Sequence, residues 1–259
     1  MGLRREYKKL LFIVPSILGI LTFYLFPLSY CFLFAFSNRA GRFAFGGLVN
    51  YISLFESESF RKAFGNTYFL MLLCIGILFL LSLVFIYFLD ASEKNLACLV
   101  IFSLPMLLPP TLIVKCISEF TLPPRLVLVL IFLWKYIGFH LLLLKATEKA
   151  MCTEWTDAAA LDGTNKWQMF VNIKFPYLWP YYRFLLIFDG ICFFRLFRES
   201  YLLYGRYPTE EVYTIIHFFF NNFQNLNYQR LSAAAIVALV PLLVLNGILL
   251  KVGKRHEMV

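Results

Sequence analysis

Long apolar runs separated by shorter polar gaps dominate this chain of 259 residues. A bilayer's hydrocarbon core is spanned by roughly 20 mainly apolar helical residues. Six runs qualify, at about 10–36, 67–89, 96–116, 126–144, 182–197 and 231–250. The pattern predicts six membrane-crossing helices, and the even count puts both termini on one side. The first run is far longer than the roughly 7–15 apolar residues of a signal peptide, so it reads as an uncleaved first helix. Pro15 and Pro27 lie within it and predict a kink or a tilt.

One long polar island interrupts this pattern between the fourth and fifth runs. Thr153 can cap a helix, with Glu154 in its favourable first turn. Ala158, Ala159 and Ala160 favour helix, and Gly163 readily takes the positive φ of a helix stop. Thr164 can cap a second short helix whose Trp167, Phe170 and Val171 share one apolar face. Pro176 and Pro180 are expected to end that helix and turn the chain back into the membrane. The island is thus read as a helix–turn–helix on the inner membrane face. Trp155 and Trp167 suit an interfacial anchor or a groove on a partner, and the residues alone leave both open.

Composition supports the membrane reading. Hydrophobic residues make up 61% of the chain, against roughly 45–50% in soluble domains. The net charge is +9, but the basic residues form no stripe with interleaved aromatics, which excludes nucleic acid as a partner. Instead Arg4, Arg5, Lys8 and Lys9 cluster at one end, and Lys251, Lys254 and Arg255 at the other. By the positive-inside rule both termini are cytoplasmic, the loop 145–181 lies inside, and the loops 37–66 and 198–230 lie outside. Arg39, Arg42, Arg61 and Lys62 run against that bias. The six cysteines are scattered and read as small buried hydrophobes. His140, His217 and His256 are isolated, so no metal site is expected. The fifth run is the least apolar, with Asp189 and Arg195 inside it and Arg183 and Arg198 near its ends. Residues 183, 189 and 195 do not share a helical face. Asp189 therefore either pairs with another helix or, with Arg195, lines a water-filled path.

From Asp157 the island reads Asp157-Ala158-Ala159, then Gly163 after three residues, then Ile173-Lys174-Phe175-Pro176 after nine. This spacing resembles the EAA loop of ATP-binding-cassette (ABC) importer permeases, E-A-A-x3-G-x9-I-x-L-P. Asp157 stands where Glu is usual and Phe175 where Leu is usual, and Asp162-Gly163 also matches. Likeness to the carbohydrate permeases of maltose and glycerol-phosphate type extends along the chain. Leu11 to Pro15, Phe23, Pro27 and Phe36-Ser37 look like that family's first span. Asn50-Tyr51, Phe55 and Asn66-Thr67 resemble its N-Y-x-x-L-F and N-T elements. Phe194 to Phe197, Tyr201 to Leu203, Pro208 to Glu210, Tyr228 and Ser232 to Ala234 are similar to its later spans. There are three departures. Cys152 replaces the proline before the EAA helix, Arg206-Tyr207-Pro208 stands for Gly-Gly-Pro, and the loop 117–125 is short.

The resemblance implies an all-α membrane protein with six transmembrane helices. It would have the type I ABC importer permease fold with a cytoplasmic EAA coupling helix, as one permease domain over 1–259. It implies location in a bacterial or archaeal cytoplasmic membrane. It also implies four kinds of partner: a second, different permease subunit, two ABC ATPase subunits, an extracytoplasmic solute-binding protein and the lipid bilayer. Asp157, Ala158, Ala159, Asp162, Gly163, Ile173 and Pro176 would form the ATPase-coupling loop, with Asp189 and Arg195 as candidates for lining the path. No G-x-x-x-x-G-K-[ST] phosphate loop occurs, so ATP with magnesium is expected on the ATPase partner and no cofactor on this chain. Three other readings stay open: a permease for a polyamine, metal or oxyanion; a scaffold or assembly factor; and an intramembrane hydrolase using Asp189 with Asp90. No nucleophile-elbow pattern supports the last.

Overall fold

The computed structural model of the chain describes residues 13–39, 42–89 and 93–256. Arg4, Arg5, Lys8, Lys9 and Asp90, with the start of the first apolar run, lie outside the described residues. Helix α1 (Val14–Ala35) precedes two short strands, β1 (Ser37–Arg39) and β2 (Arg42–Phe45). Helices α2 (Val49–Glu56), α3 (Glu58–Phe88), α4 (Glu93–Ser103), α5 (Pro110–Ile117) and α6 (Pro124–Lys149) follow. The polar island contributes α7 (Thr153–Leu161) and α8 (Lys166–Met169). Beyond them come α9 (Phe175–Arg195), α10 (Phe197–Tyr204), α11 (Ile215–Gln224) and α12 (Tyr228–His256).

Among the described residues four helices are long and apolar enough to cross a membrane: α1, α3, α6 and the stretch Tyr228–Leu249 of α12. The third apolar run is not one straight helix. It breaks between Leu96–Leu107 and Pro110–Ile117 with a bend of 93°. Pro105, Pro109 and Pro110 remove backbone donors there, so the helical ladder cannot continue through the break. Counted as one span, this bent pair makes five. The fifth run lies in α9, whose charged residues Arg183, Asp189 and Arg195 keep it out of that apolar set.

The chain divides into two compact units, residues 1–61 with 218–241, and residues 62–217 with 242–259. In the first, Pro15 occupies the opening turn of α1, where its missing N–H costs nothing. Pro27 follows a π-helical turn at Leu21–Leu25, a widening that often accompanies a lost donor. Asn50 closes the end of α1 by donating its amide to the carbonyls of Ala35 and Ser37, both at 2.9 Å. The strands pair antiparallel, Ser37 opposite Phe45 and Arg39 opposite Arg42. This hairpin is a small exception to the all-α expectation.

In the second unit α6 is the central element, with 56% of its apolar window buried. One cluster gathers Leu70, Leu78, Ile113, Ile131, Phe132 and Phe193. Another gathers Ile86, Leu144, Phe170, Leu178, Tyr182 and Leu185 beside the polar island. Gly138 lets α6 approach the backbone of Phe102 so closely that a Cβ there would strike its carbonyl. Thr67 donates its hydroxyl to Ala63 O and accepts from the N–H of Ile215, both at 2.7 Å, capping the start of α11. Asn66 donates to the carbonyls of Glu210 (2.5 Å) and Tyr213 (3.2 Å). The Asn66-Thr67 pair thus fastens the segment before α11 onto α3.

Candidate coupling site

The polar island is held by local chemistry at each joint. Cys152, not Thr153, is the N-cap of α7, and its side chain makes no cap bond. Its φ of −62° is the angle a proline ring enforces, so the backbone at this position has a φ that proline also takes. Helix α7 ends in a Schellman closure. Gly163 sits at φ +75°, its N–H reaches Ala160 O at 3.1 Å, and the N–H of Thr164 reaches Ala159 O at 3.1 Å. The hydroxyl of Thr164 donates to the same Ala159 carbonyl at 2.7 Å. Thr164 therefore closes the first helix and does not open the second. The second cap is Asn165, which forms a reciprocal capping box with Gln168 at 2.8 and 3.0 Å.

The second helix does not stop at Pro176 or Pro180. Helix α8 runs into a π-helical segment (Phe170–Lys174), and that runs directly into α9. Pro176 falls in the first turn of α9 behind the π turn, and Pro180 is carried inside the helix. One helical path therefore leads from Lys166 to Arg195.

Asp157, Ala158, Asp162, Gly163 and Pro176 are exposed, Ile173 is half-buried and Ala159 is buried. Leu161 is 90% exposed, with Trp155 and Trp167 more than half exposed. This is an unusual apolar display for a polar loop and suits a surface that meets another molecule. On the other side the island is pinned by aromatic rings. Tyr87 of α3 meets Phe170 at 5.4 Å and Trp167 at 5.8 Å, and Trp155 meets Tyr177 at 5.9 Å.

The two path candidates are not brought together. Asp189 is fully buried, 3.0 Å from His140 Nε2 on α6. Arg195 ends α9 on an exposed surface. Asp189 is thus paired with another helix, and its partner is a histidine and not a second carboxylate. Two further charged sets are buried against α6. Lys135 Nζ lies 2.5 Å from Glu199. Glu148 takes Lys145 on one carboxylate oxygen and Lys174 on the other, each at 2.5 Å. Lys145 also donates to the carbonyls of Ile86 (2.9 Å) and Leu89. Lys135, Lys145, Glu148 and Glu199 belong to no motif in the sequence, and Lys174 stands at a variable position of one. A cation inside an apolar run, such as Lys135, was the available signal, because such a charge requires a buried partner.

The described residues thus form a helical protein with several membrane-length apolar helices and an exposed loop helix that leads into α9. No family model matches the chain. It is 26% identical to the arabinooligosaccharide transport system permease protein AraP of Bacillus subtilis, over 94% of this chain and 87% of that protein. It is 24% identical to the multiple sugar-binding transport system permease protein MsmF of Streptococcus mutans, over 95% and 94%. Its fold matches a chain of a bacterial ABC transporter involved in import of the acidic polysaccharide alginate, with TM-score 0.79 at 21% identity, covering 97% of this chain and 96% of that one. A bacterial alginate ABC transporter in complex with an alginate pentasaccharide-bound periplasmic protein gives TM-score 0.77 at 22% identity, with the same coverage. AraP and MsmF are both named as permease proteins of transport systems for sugars or oligosaccharides. Along nearly its whole length the chain is therefore similar to permease proteins of sugar transport systems, and its fold matches that of a chain in an ABC importer.

Proposed function

We propose that the chain forms one half of the membrane path of an ATP-driven carbohydrate importer, with six spans in one permease domain and both termini cytoplasmic. In this reading the bent α4–α5 pair is one span and α9 another. The loop 145–181 faces the cytoplasm and α7 docks on an ABC ATPase. A second permease completes the path, a second ATPase serves it, and an extracytoplasmic binding protein delivers the sugar. ATP and magnesium bind the ATPases.

The observation that carries the proposal is mechanical. An exposed helix ends at Gly163, turns within four residues and continues as a single helical path from Lys166 to Arg195. Closure of an ATPase pair against α7 would move a rigid lever rooted among the membrane helices, shifting the open side of the path between two states. Asp157, Asp162 and the small Ala158 are the exposed docking residues, Gly163 makes the turn, and Ile173 and Pro176 lie where the π-helical turn passes into α9. A carbohydrate cargo is supported by the arabinooligosaccharide and multiple-sugar relatives.

The test uses the complex purified from its native membrane and reconstituted in vesicles, with uptake of radiolabelled arabinotriose and maltotriose measured beside ATP hydrolysis. Gly163→Val places a β-branched residue at φ +75°, which costs about 1–2 kcal/mol of local strain. It should lower uptake per ATP hydrolysed while the complex still assembles. Absence of an ATPase from the purified complex, or unchanged uptake in the variant, refutes the coupling reading.

A further inference from the structure

We propose that Glu148 is the pivot of the lever: a positioning residue that ties the root of the coupling loop to the ends of two membrane helices. This rests on the coupling role proposed above for the loop 145–181. The carboxylate is buried at the end of α6 and carries a lysine on each oxygen. Lys145 comes from its own helix. Lys174 comes from the π-helical turn through which α8 passes into α9. Lys145 is fully buried and spends its other donors on the carbonyls of Ile86 and Leu89. Ile86 lies in the last turn of α3 and Leu89 just past it, at the negative end of that helix's dipole, where a cation is most favourable. Glu148 thereby joins three elements at one point: α3 through Lys145, α6 by its own backbone, and the lever through Lys174.

The chemistry of the two arms differs. The Lys145 arm is sealed from water, with both side chains buried. The Lys174 arm is 30% exposed on the lysine side, so it can open and re-form during a cycle at modest cost. The aromatic contacts of Tyr87 with Phe170 and Trp167 hold the same turn from the α3 side. A displacement of α7 therefore acts on a segment gripped at two points, and the ionic grip is the one that also reaches α6. Loss of Lys174 should let the lever move without carrying α3 and α6.

The experiment measures uptake of arabinotriose and maltotriose per ATP hydrolysed in vesicles holding the native complex, with binding-protein stimulation of ATP hydrolysis as a readout independent of cargo. Lys174→Met should cut uptake per ATP and the stimulation by roughly tenfold, with assembly yield and basal ATP hydrolysis kept. Lys174→Arg should restore both, because the charge and reach are retained. Glu148→Gln, which keeps the shape and removes the charge, should uncouple as Lys174→Met does. A proportional fall in yield, hydrolysis and uptake would show a merely structural bolt and overturn the proposal, as would unchanged coupling in Lys174→Met. Gly163→Val run in parallel separates the two claims. If it uncouples and Lys174→Met does not, the pivot alone fails; if neither uncouples, the coupling reading falls with it.

Discussion

The buried pair of His140 and Asp189 gives a sharp energetic prediction. The two atoms lie 3.0 Å apart, and neither side chain is more than 1% exposed. Each group is only half satisfied: among the described residues His140 Nδ1 and Asp189 Oδ2 have no hydrogen-bond partner. Asp189→Ala would strip the ring of its remaining contact and leave both nitrogens orphaned in a dry interior. The expected cost is about 3 kcal/mol, between the penalty for one unsatisfied polar group and that for breaking a buried ion pair. Asp189→Asn keeps an oxygen and an amide within reach of Nε2 and should cost about 1 kcal/mol. Replacing both partners together, Asp189→Leu with His140→Phe, removes every orphan and should come within about 1 kcal/mol of the native chain. Equilibrium unfolding in mixed SDS micelles, followed by the fluorescence of the four tryptophans, measures each value. An Asp189→Ala variant that unfolds with the native chain, or a double variant weaker than that single one, would refute the reasoning.

Two more outcomes follow from the packing. His217 is buried beside Phe197 and Tyr213, and its Nδ1 accepts from the backbone N–H and hydroxyl of Thr214. Burial lowers its pKa to about 4 from 6.5. The unfolded chain then binds this proton first, so stability is complete above pH 6.5 and falls as pH drops toward 4, by at most about 3 kcal/mol. His217→Gln should flatten that part of an unfolding-versus-pH profile, and a profile unchanged by the substitution would contradict the burial effect. Gly138→Ala drives a methyl into the Phe102 carbonyl and should cost about 1–3 kcal/mol in the same unfolding assay. Gly76→Ala, which meets nothing within 4 Å, should instead be neutral or gain up to about 1 kcal/mol; equal effects at the two sites would argue against the close crossing.

Which features the sequence revealed depended on how far apart the cooperating residues lie. The turn at Gly163 was legible because a positive-φ glycine and the carbonyls it serves lie within five residues. Even there the two caps were misplaced by one position: Thr164 spends its hydroxyl on Ala159 O and leaves the N–H of Gln168 to Asn165, and the first helix starts one residue early, from Cys152. The fate of the helix at Pro176 was misread for a different reason. Proline weakens an isolated helix, but here a π turn precedes it and the following residues Leu178, Tyr182 and Leu185 are buried; packing outweighs the local penalty. Long-range pairs were out of reach, with 64 residues between Lys135 and Glu199 and 49 between His140 and Asp189. One signal of them was present all the same. Helix α1 has no charged residue from Val14 to Ala35, and none of its apolar window is buried in this chain, whereas α6 carries Lys135, His140 and Lys145 and is the most buried of the four. A charge in mid-run cannot face lipid and must be answered by protein. The interruptions in its apolar run therefore marked α6 as a helix whose charges are answered by protein within its own unit.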